Sequence, residues 1–368
     1  MRVLFTGGGT GGHIMPIIAV AEKVKEILNA SGGIPNFLFI GSESPFNEVV
    51  ANFGIPIKTI KTYKLRRYWS ADNFADLVNL PIGIIQSFFY VYSFMPDVVF
   101  SKGGYASFPV ALAAWVFHIP IIIHESDSVA GLANTIEGKM ANKVAVSFTD
   151  AGNYFAKKKI IFTGNPVRRE IFQGNKDRAI EEFGLKRDLP VILILGGSQG
   201  SQKINNIVLE AIVKIVTKVQ VIHQCGVGNY KDVKQTIIDF GLANIENYHL
   251  YPFLLNNLND AYAVSDLVIS RAGANNIAEI INLNKPAILV PLPNSASGHQ
   301  LKNAYYYSSK GAALLLDETN LTPNMLYDAI FGILNNKSKQ TQMIRAARQL
   351  MSPNAAQLIA EEVIKLGK

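Results

Sequence analysis

An α/β fold of two doubly wound parallel sheets is predicted by two observations. Strand-length apolar runs alternate with helix-length segments along all 368 residues, and each half opens on a buried strand that runs into glycines. The first such turn is Gly7-Gly8-Gly9-Thr10-Gly11-Gly12-His13 behind Val3-Leu4-Phe5; the second is Gly196-Gly197-Ser198-Gln199-Gly200 behind Val191 to Leu195. A strand, a glycine turn and a helix start together aim backbone N–H groups and a helix dipole, about half a positive charge, at whatever lies beyond the strand end. Phosphate is the usual occupant, so each half is read as handling an anionic group, the two halves facing each other across a cleft.

The elements follow in order. In the first half the strands are Val3 to Thr6, Phe37 to Ile40, Ile57 to Ile60, Val98 to Ser101, Ile119 to Ile123 and Lys143 to Val146. In the second they are Val191 to Leu195, Gln220 to Gln224, Tyr248 to Leu250, Leu267 to Ser270, Ala287 to Val290 and Ala313 to Leu316. Most are continuously apolar without period-two alternation, as a parallel sheet covered on both faces requires. Gly164-Asn165-Pro166 stops any regular element and marks a boundary. This gives domains of residues 1–164 and 165–352, with 353–368 as a closing amphipathic helix, Ala355 to Leu366, packed back on the first domain.

Length and composition agree: the chain is too long for one core, and its hydrophobic content excludes intrinsic disorder. A lone cysteine, Cys225, excludes an intrachain disulfide and fits a reducing compartment. No leader is read ahead of the first strand. The net charge of +7 is spread over both halves with one local concentration. Between Val49 and Ala71 the charged residues are Lys58, Lys61, Lys64, Arg66 and Arg67, the last three interleaved with Leu65, Tyr68 and Trp69. Cations around an apolar tip suit an anionic bilayer surface, and a solvated loop is the alternative reading. From Leu77 to Met95 there is no formal charge. Asn79, Pro81, Gln86 and Ser87 interrupt that run, and a membrane span there would put flanking strands on opposite sides of a bilayer. It is read as a helix packed on the sheet, its aromatic edge reaching lipid.

Three groups carry candidate chemistry. Gly7, Gly9 and Gly12 have dinucleotide-fingerprint spacing, with Glu43 as a late candidate for a ribose contact. Against that reading stands His13, on the first helical turn, where the dipole keeps an imidazole neutral and usable as a base. His124-Glu125-Ser126-Asp127 follows a strand, and Glu125 and Asp127 at a sheet's carboxyl edge are candidates for general-base work; a helix N-cap is the bland alternative for Asp127. In the second half Arg271-Ala272-Gly273-Ala274-Asn275-Asn276-Ile277-Ala278-Glu279 opens a helix on small residues that admit a diphosphate. Glu279 is placed to accept from a ribose diol, and Gln300 to meet a sugar or phosphate.

Taken together these residues resemble the MurG family of GT-B glycosyltransferases. The matching pieces are Gly7 to His13 with Pro16, Ser101-Lys102-Gly103-Gly104-Tyr105, His124-Glu125, Ala130-Gly131-Leu132, Gly164 to Arg168, Gly196 to Gly200, Arg271 to Glu279, and His299-Gln300 with Asn303-Ala304. The resemblance implies two Rossmann-like domains and inverting transfer of GlcNAc from UDP-GlcNAc to undecaprenyl-pyrophosphoryl-MurNAc-pentapeptide (lipid I) in peptidoglycan synthesis, without metal or organic cofactor. By position it implies donor contacts from Thr10, Gly11, Gly12, Asp127, Arg168, Ser198, Leu254, Ala274, Asn275, Asn276, Ile277, Ala278, Glu279 and Gln300. It implies acceptor or membrane contacts from Gly9, Gly103, Gly104, Tyr105, Lys64, Arg66, Arg67 and Trp69. The catalytic base is His13 or Glu125. The partners implied are UDP-GlcNAc, lipid I, the anionic cytoplasmic face of the cell membrane, and cell-wall synthesis or division proteins, with no nucleic acid.

The chain departs from the family pattern at Ser126 and Asp127, where Gln-Asn is usual, at Asn276, where threonine is common, and at Gly298, usually aspartate. Exchanging an amide for the Asp127 carboxylate removes a donor and adds charge. Two other functions are alternatives: a GT-B enzyme for another lipid acceptor such as diacylglycerol, and a nicotinamide-dependent oxidoreductase, which leaves the second glycine turn and the Arg271 to Glu279 helix without a purpose.

Overall fold

Strands that are apolar on both faces need cover on both faces, and both sheets are built that way. The computed structural model describes residues 1–62, 72–197, 200–242, 245–255 and 257–368. These divide into one unit of Met1–Arg168 with Ser352–Lys368 and a second of Arg169–Met351.

The first unit contains β1 (Arg2–Gly7), α1 (Gly11–Ala30), β2 (Asn36–Gly41), α2 (Asn47–Asn52), β3 (Ile57–Thr59), α3 (Asp72–Phe94), β4 (Val98–Ser101), α4 (Ser107–Val116), β5 (Ile121–Glu125), α5 (Leu132–Met140), β6 (Lys143–Val146) and β7 (Ile160–Phe162). All pair in parallel in the order β3-β2-β1-β4-β5-β6-β7. The second contains α6 (Lys176–Phe183), β8 (Val191–Leu195), α7 (Gln202–Ile215), β9 (Gln220–Gln224), α8 (Tyr230–Asp239), β10 (Tyr248–Tyr251), α9 (Leu258–Val264), β11 (Leu267–Ser270), α10 (Ala274–Asn282), β12 (Ala287–Leu289), α11 (His299–Ser309), β13 (Leu314–Leu315), α12 (Pro323–Leu334) and α13 (Lys337–Leu350). Its strands are parallel in the order β10-β9-β8-β11-β12-β13. The chain then returns to the first unit as α14 (Ala355–Leu366), whose Ile359, Ala360, Val363 and Ile364 join the core of Val3, Phe5, Ile14 and Ile17.

In each sheet the strand order reverses once, between β1 and β4 and between β8 and β11. The loops leaving those strands diverge and open a crevice at the carboxyl edge, where open α/β sheets bind ligands. Both glycine turns leave from such a point.

Three details differ from the sequence reading. Strand β7 was not expected: three residues after Lys157-Lys158-Lys159 carry too little pattern, and pairing with β6 alone makes the strand. Strand β5 begins after Pro120 and runs on through His124 and Glu125, paired with Ala145 and Val146, so these two are strand residues and not loop residues. Asn165 to Arg168 and Ser352 group with the first unit. Gly164, at φ +79°, backs directly onto Ser352, and the N–H groups of Thr163 and Gly164 both point at the Val146 carbonyl.

Candidate active site

The carboxyl ends of β1, β4 and β5 are neighbours, so Gly9, Thr10, Gly11, Gly12, His13, Gly103, Gly104, Tyr105, Glu125 and Asp127 gather at one edge of the first unit. The turn after β1 is bonded to the turn after β4: Gly8 N–H donates to the Gly103 carbonyl at 2.8 Å. The approach is possible only without side chains. A Cβ on Gly104 would lie 2.9 Å from the Gly8 backbone nitrogen and 3.4 Å from His13 Nε2, and one on Gly8 would lie 2.9 Å from His13 Nδ1. The imidazole thus sits between two glycine turns.

Thr10 is the N-cap of α1 but makes no side-chain cap. Its hydroxyl goes instead to His13 Nδ1, 2.8 Å away. The ring is partly exposed, while its surroundings hold its pKa down to about 3; burial is the main cause and the ammonium of Lys102 the second. Neutral imidazole is therefore the form present at neutral pH. Lys102 is buried, and its Nζ donates to Ser126 Oγ at 2.9 Å. Burial lowers its own pKa, opposed by the carboxylates of Glu125 and Asp127.

Glu125 is buried with both carboxyl oxygens occupied. Oε1 accepts from Asp127 N–H at 2.9 Å; Oε2 accepts from Gly131 N–H at 2.9 Å and from Asn134 Nδ2 at 2.8 Å. It ties down the loop between β5 and α5. Burial and then Asp127 raise its pKa, against the pull of Lys102 and those donors. His124 turns its Nε2 to the Gly164 carbonyl at 3.0 Å and to Ser147 Oγ at 3.2 Å. Arg168 stands at the end of the unit, its Nε buried with no hydrogen-bond partner among the described residues.

In the second unit the candidates collect beyond β8 to β12. Gly273 opens α10 without a side-chain cap. Asn275 and Asn276 are partly exposed, whereas Ala274, Ile277, Ala278 and Glu279 are buried. Ile277 packs in the interior, which leaves only its backbone for a ligand. Glu279 Oε2 accepts from Tyr262 Oη at 3.1 Å, and Asn276 Nδ2 donates to Ser270 Oγ at 3.1 Å. Leu254 is buried, its N–H donating to Gln224 Oε1 at 2.9 Å. Gln300 Oε1 accepts from Leu292 N–H at 3.0 Å. Lys64, Arg66, Arg67, Trp69 and Ser198 lie outside the described residues.

Sequence reasoning gave no individual role to several residues that shape these sites. Arg271 is buried and bonds Ser201 Oγ, the N-cap of α7, together with Glu318 Oε1 at 2.6 Å and the Val290 carbonyl at 3.2 Å. It ties the start of α7 to the segment that follows β11. Lys102 was legible as a cation wedged between an apolar strand and two glycines. Glu137 carried no such signal.

Residues 3–146 match the glycosyltransferase family 28 N-terminal domain and residues 191–362 the C-terminal domain of the same family. A UDP-N-acetylglucosamine–N-acetylmuramyl-(pentapeptide) pyrophosphoryl-undecaprenol N-acetylglucosamine transferase 3 of Bacillus thuringiensis (strain Al Hakam) is 37% identical over 337 residues, 91% of this chain and 92% of its own. The transferase of that name from Legionella pneumophila (strain Paris) is 36% identical over 349 residues, 94% of this chain and 92% of its own. The crystal structure of Acinetobacter baumannii MurG superposes with a TM-score of 0.73 at 27% identity, covering 99% of both chains. A UDP-GlcNAc 2-epimerase from Neisseria meningitidis, at TM-score 0.72 and 16% identity over 99% of this chain and 100% of its own, shares the fold.

Proposed function

We propose a division of roles among these residues from the premise that the chain belongs to the MurG family, within glycosyltransferase family 28. The protein is a UDP-GlcNAc-dependent glycosyltransferase that transfers GlcNAc to undecaprenyl-pyrophosphoryl-MurNAc-pentapeptide in peptidoglycan synthesis.

In this reading the second unit holds UDP-GlcNAc. The start of α10, from Ala274 to Glu279, receives the nucleotide, Asn275 and Asn276 offer side-chain amides, and Gln300 and Leu254 border the sugar and base. The first unit holds the acceptor, its diphosphate set against the glycine turns after β1 and β4. The acceptor hydroxyl attacks the anomeric carbon on the face opposite UDP. As the new C–O bond forms, the bond to the diphosphate oxygen breaks, its electron pair leaves with UDP, and the hydroxyl proton passes to the enzyme. Configuration inverts in that single displacement. Helix starts and the Arg168 guanidinium stabilise the charge that develops on UDP without a metal.

The observation that carries the assignment of the base is the pair of bonds at His13 and Glu125. Both Glu125 oxygens are committed to organising a loop, whereas His13 uses Nδ1 on Thr10 and turns Nε2 toward the Gly104 turn. With Nδ1–H donating to Thr10 Oγ1, the lone pair of Nε2 takes the proton. The acceptor's diphosphate offsets the Lys102 charge, the smaller of the two causes that lower the His13 pKa, and to that extent raises its proton affinity. Replacing His13 by Gln tests this: transfer falls by about 10²–10⁴-fold while UDP-GlcNAc binding is kept, and unimpaired transfer removes His13 from the role.

The same unit is placed on an anionic membrane surface. Ile82, Ile85, Phe89 and Tyr92 recur at three- and four-residue spacing on α3 and are exposed, Ile85, Phe89 and Tyr92 by 69%, 65% and 66%. Trp115 and Val116 at the end of α4 are exposed too, and Lys58 Nζ stands over the Tyr90 ring. No helix among the described residues is long and apolar enough to cross a membrane. An apolar stripe with cations near it suits binding in the plane of the interface. Anionic vesicles that fail to retain the protein would remove this placement.

A further inference from the structure

Glu137 lies on α5 with none of its surface exposed, and the reaction as described makes no use of it. Its carboxyl is held between two hydroxyls, Oε2 at 2.5 Å from Ser101 Oγ and Oε1 at 2.5 Å from Ser107 Oγ. Each serine also grips the diglycine turn. Ser101 Oγ accepts from Gly103 N–H at 3.1 Å, and Ser107 Oγ lies 2.7 Å from the Gly104 carbonyl oxygen.

Counting protons gives one state in which every contact of this network carries its own proton. Three oxygen–oxygen contacts of hydrogen-bond length each need a proton between their atoms: Ser101 with Glu137, Glu137 with Ser107, and Ser107 with Gly104. The two serines supply two. The third belongs to Glu137, whose O–H donates to Ser107 Oγ; Ser107 O–H then donates to the Gly104 carbonyl, and Ser101 O–H donates to the other carboxyl oxygen. With Glu137 ionised, one contact becomes a pair of facing lone pairs among fully buried side chains.

The turn so held matters because Gly103 and Gly104, at φ +78° and +96°, close against Gly8 and the Nε2 side of the His13 ring. We infer that Glu137 is a positioning residue for the transfer: as a neutral acid it locks the Gly103-Gly104 turn behind His13, and its ionisation releases that turn and slows the reaction. The inference rests on the assignment of His13 as the base.

The surroundings agree. Burial lifts the pKa of Glu137 to about 7, with the two serine bonds pulling the other way. The charged and titratable groups on neighbouring elements are Lys102, Tyr105 and His118 around α4, His124, Glu125 and Asp127 at the end of β5, Lys139 on α5 itself, and Lys143 on β6. Lys159 caps the end of α5 by donating to the carbonyls of Gly138 and Lys139. Among the described residues the carboxyl of Glu137 has hydrogen bonds to the two serines alone.

Glutamine reproduces the neutral acid, since its amide N–H donates to Ser107 and its oxygen accepts from Ser101. The test compares the full-length wild type, Glu137→Gln and Ser107→Ala by infrared difference spectroscopy and by the pH profile of kcat/KM with a lipid I analogue. A carboxylic-acid C=O band, present in the wild type and missing from Glu137→Gln, is expected to disappear around neutrality. The wild-type rate falls in step with that band, and Glu137→Gln matches the wild type at pH 6 and stays flat above it. Ser107→Ala, which removes both the bond to Glu137 and the link to Gly104, loses about tenfold in kcat/KM at every pH with UDP-GlcNAc binding unchanged. Absence of the band at pH 6, or a Glu137→Gln profile superimposable on the wild type, overturns the inference. The band reports the acid whichever residue takes the proton, so an active His13→Gln with the band intact refutes the base assignment separately.

Discussion

Thr10 Oγ1 stands 2.8 Å from His13 Nδ1, and this one bond decides which imidazole nitrogen is free to act. If Nδ1–H donates to the threonine, Nε2 keeps its lone pair; if the threonine donates, Nε2 carries the proton and is useless as a base. Thr10→Val leaves Nδ1 without an acceptor. Its kcat/KM is expected to fall about 10-fold to 100-fold, and Thr10→Ser should restore most of it. ¹⁵N shifts of the His13 ring read the tautomer directly; a proton on Nε2 in the wild type would count against the scheme.

Lys102 makes a second, independent prediction. Its charge helps to keep His13 neutral, so Lys102→Met should raise the imidazole pKa and move the acid limb of kcat/KM to higher pH. Arginine at the same position should leave that limb where it is. An unmoved limb in the methionine variant means that the ammonium does not act on His13.

Acid stability follows from His223, which is buried in the second unit with Nδ1 2.6 Å from Tyr248 Oη and Nε2 3.1 Å from Asn205 Oδ1. Burial depresses its pKa to about 3, so between about 6.5 and 3 the unfolded chain binds a proton that the folded one refuses. Stability is complete above pH 6.5 and is lost as pH falls through that window, by an amount on the order of a few kcal/mol. Thermal melting of the wild type should drop between pH 7 and 4, and His223→Gln should lessen the drop, His124 and His13, whose pKa values are lowered in the same way, contributing the remainder. Parallel curves for the two proteins would refute the assignment.

Arg271 and Glu318 form a buried pair at 2.6 Å. Glu318→Ala strands a buried guanidinium and is expected to cost about 3–5 kcal/mol. Because the same arginine bonds Ser201 at the start of α7, UDP affinity should fall together with stability. Unchanged UDP binding in a folded Glu318→Ala protein would separate the ion pair from the donor site.

The strand positions were legible because continuous apolar runs between glycine turns have few other interpretations. Strand β7 was not, since Ile160 to Phe162 become a strand only by pairing with β6. The gathering of His13, Gly104 and Glu125 followed from placing each at a strand end, but their roles did not. That Glu125 spends both oxygens on its own loop, and that Thr10 gives up its capping bond for a ring nitrogen, are facts of distance that no spacing encodes. Glu137 shows the limit most clearly: a lone carboxylate on an ordinary helix gains meaning only from two serines on another element.

The most direct test of the account is transfer of labelled GlcNAc from UDP-GlcNAc to a short-chain lipid I analogue in the presence of EDTA, with diacylglycerol as competing acceptor, for the wild type and His13→Gln. Metal-independent transfer to lipid I is expected of the wild type and a loss of about 10²–10⁴-fold in the variant, with UDP-GlcNAc binding equal in the two. Equal transfer rates for the two proteins, or transfer to diacylglycerol in preference to lipid I, would contradict it.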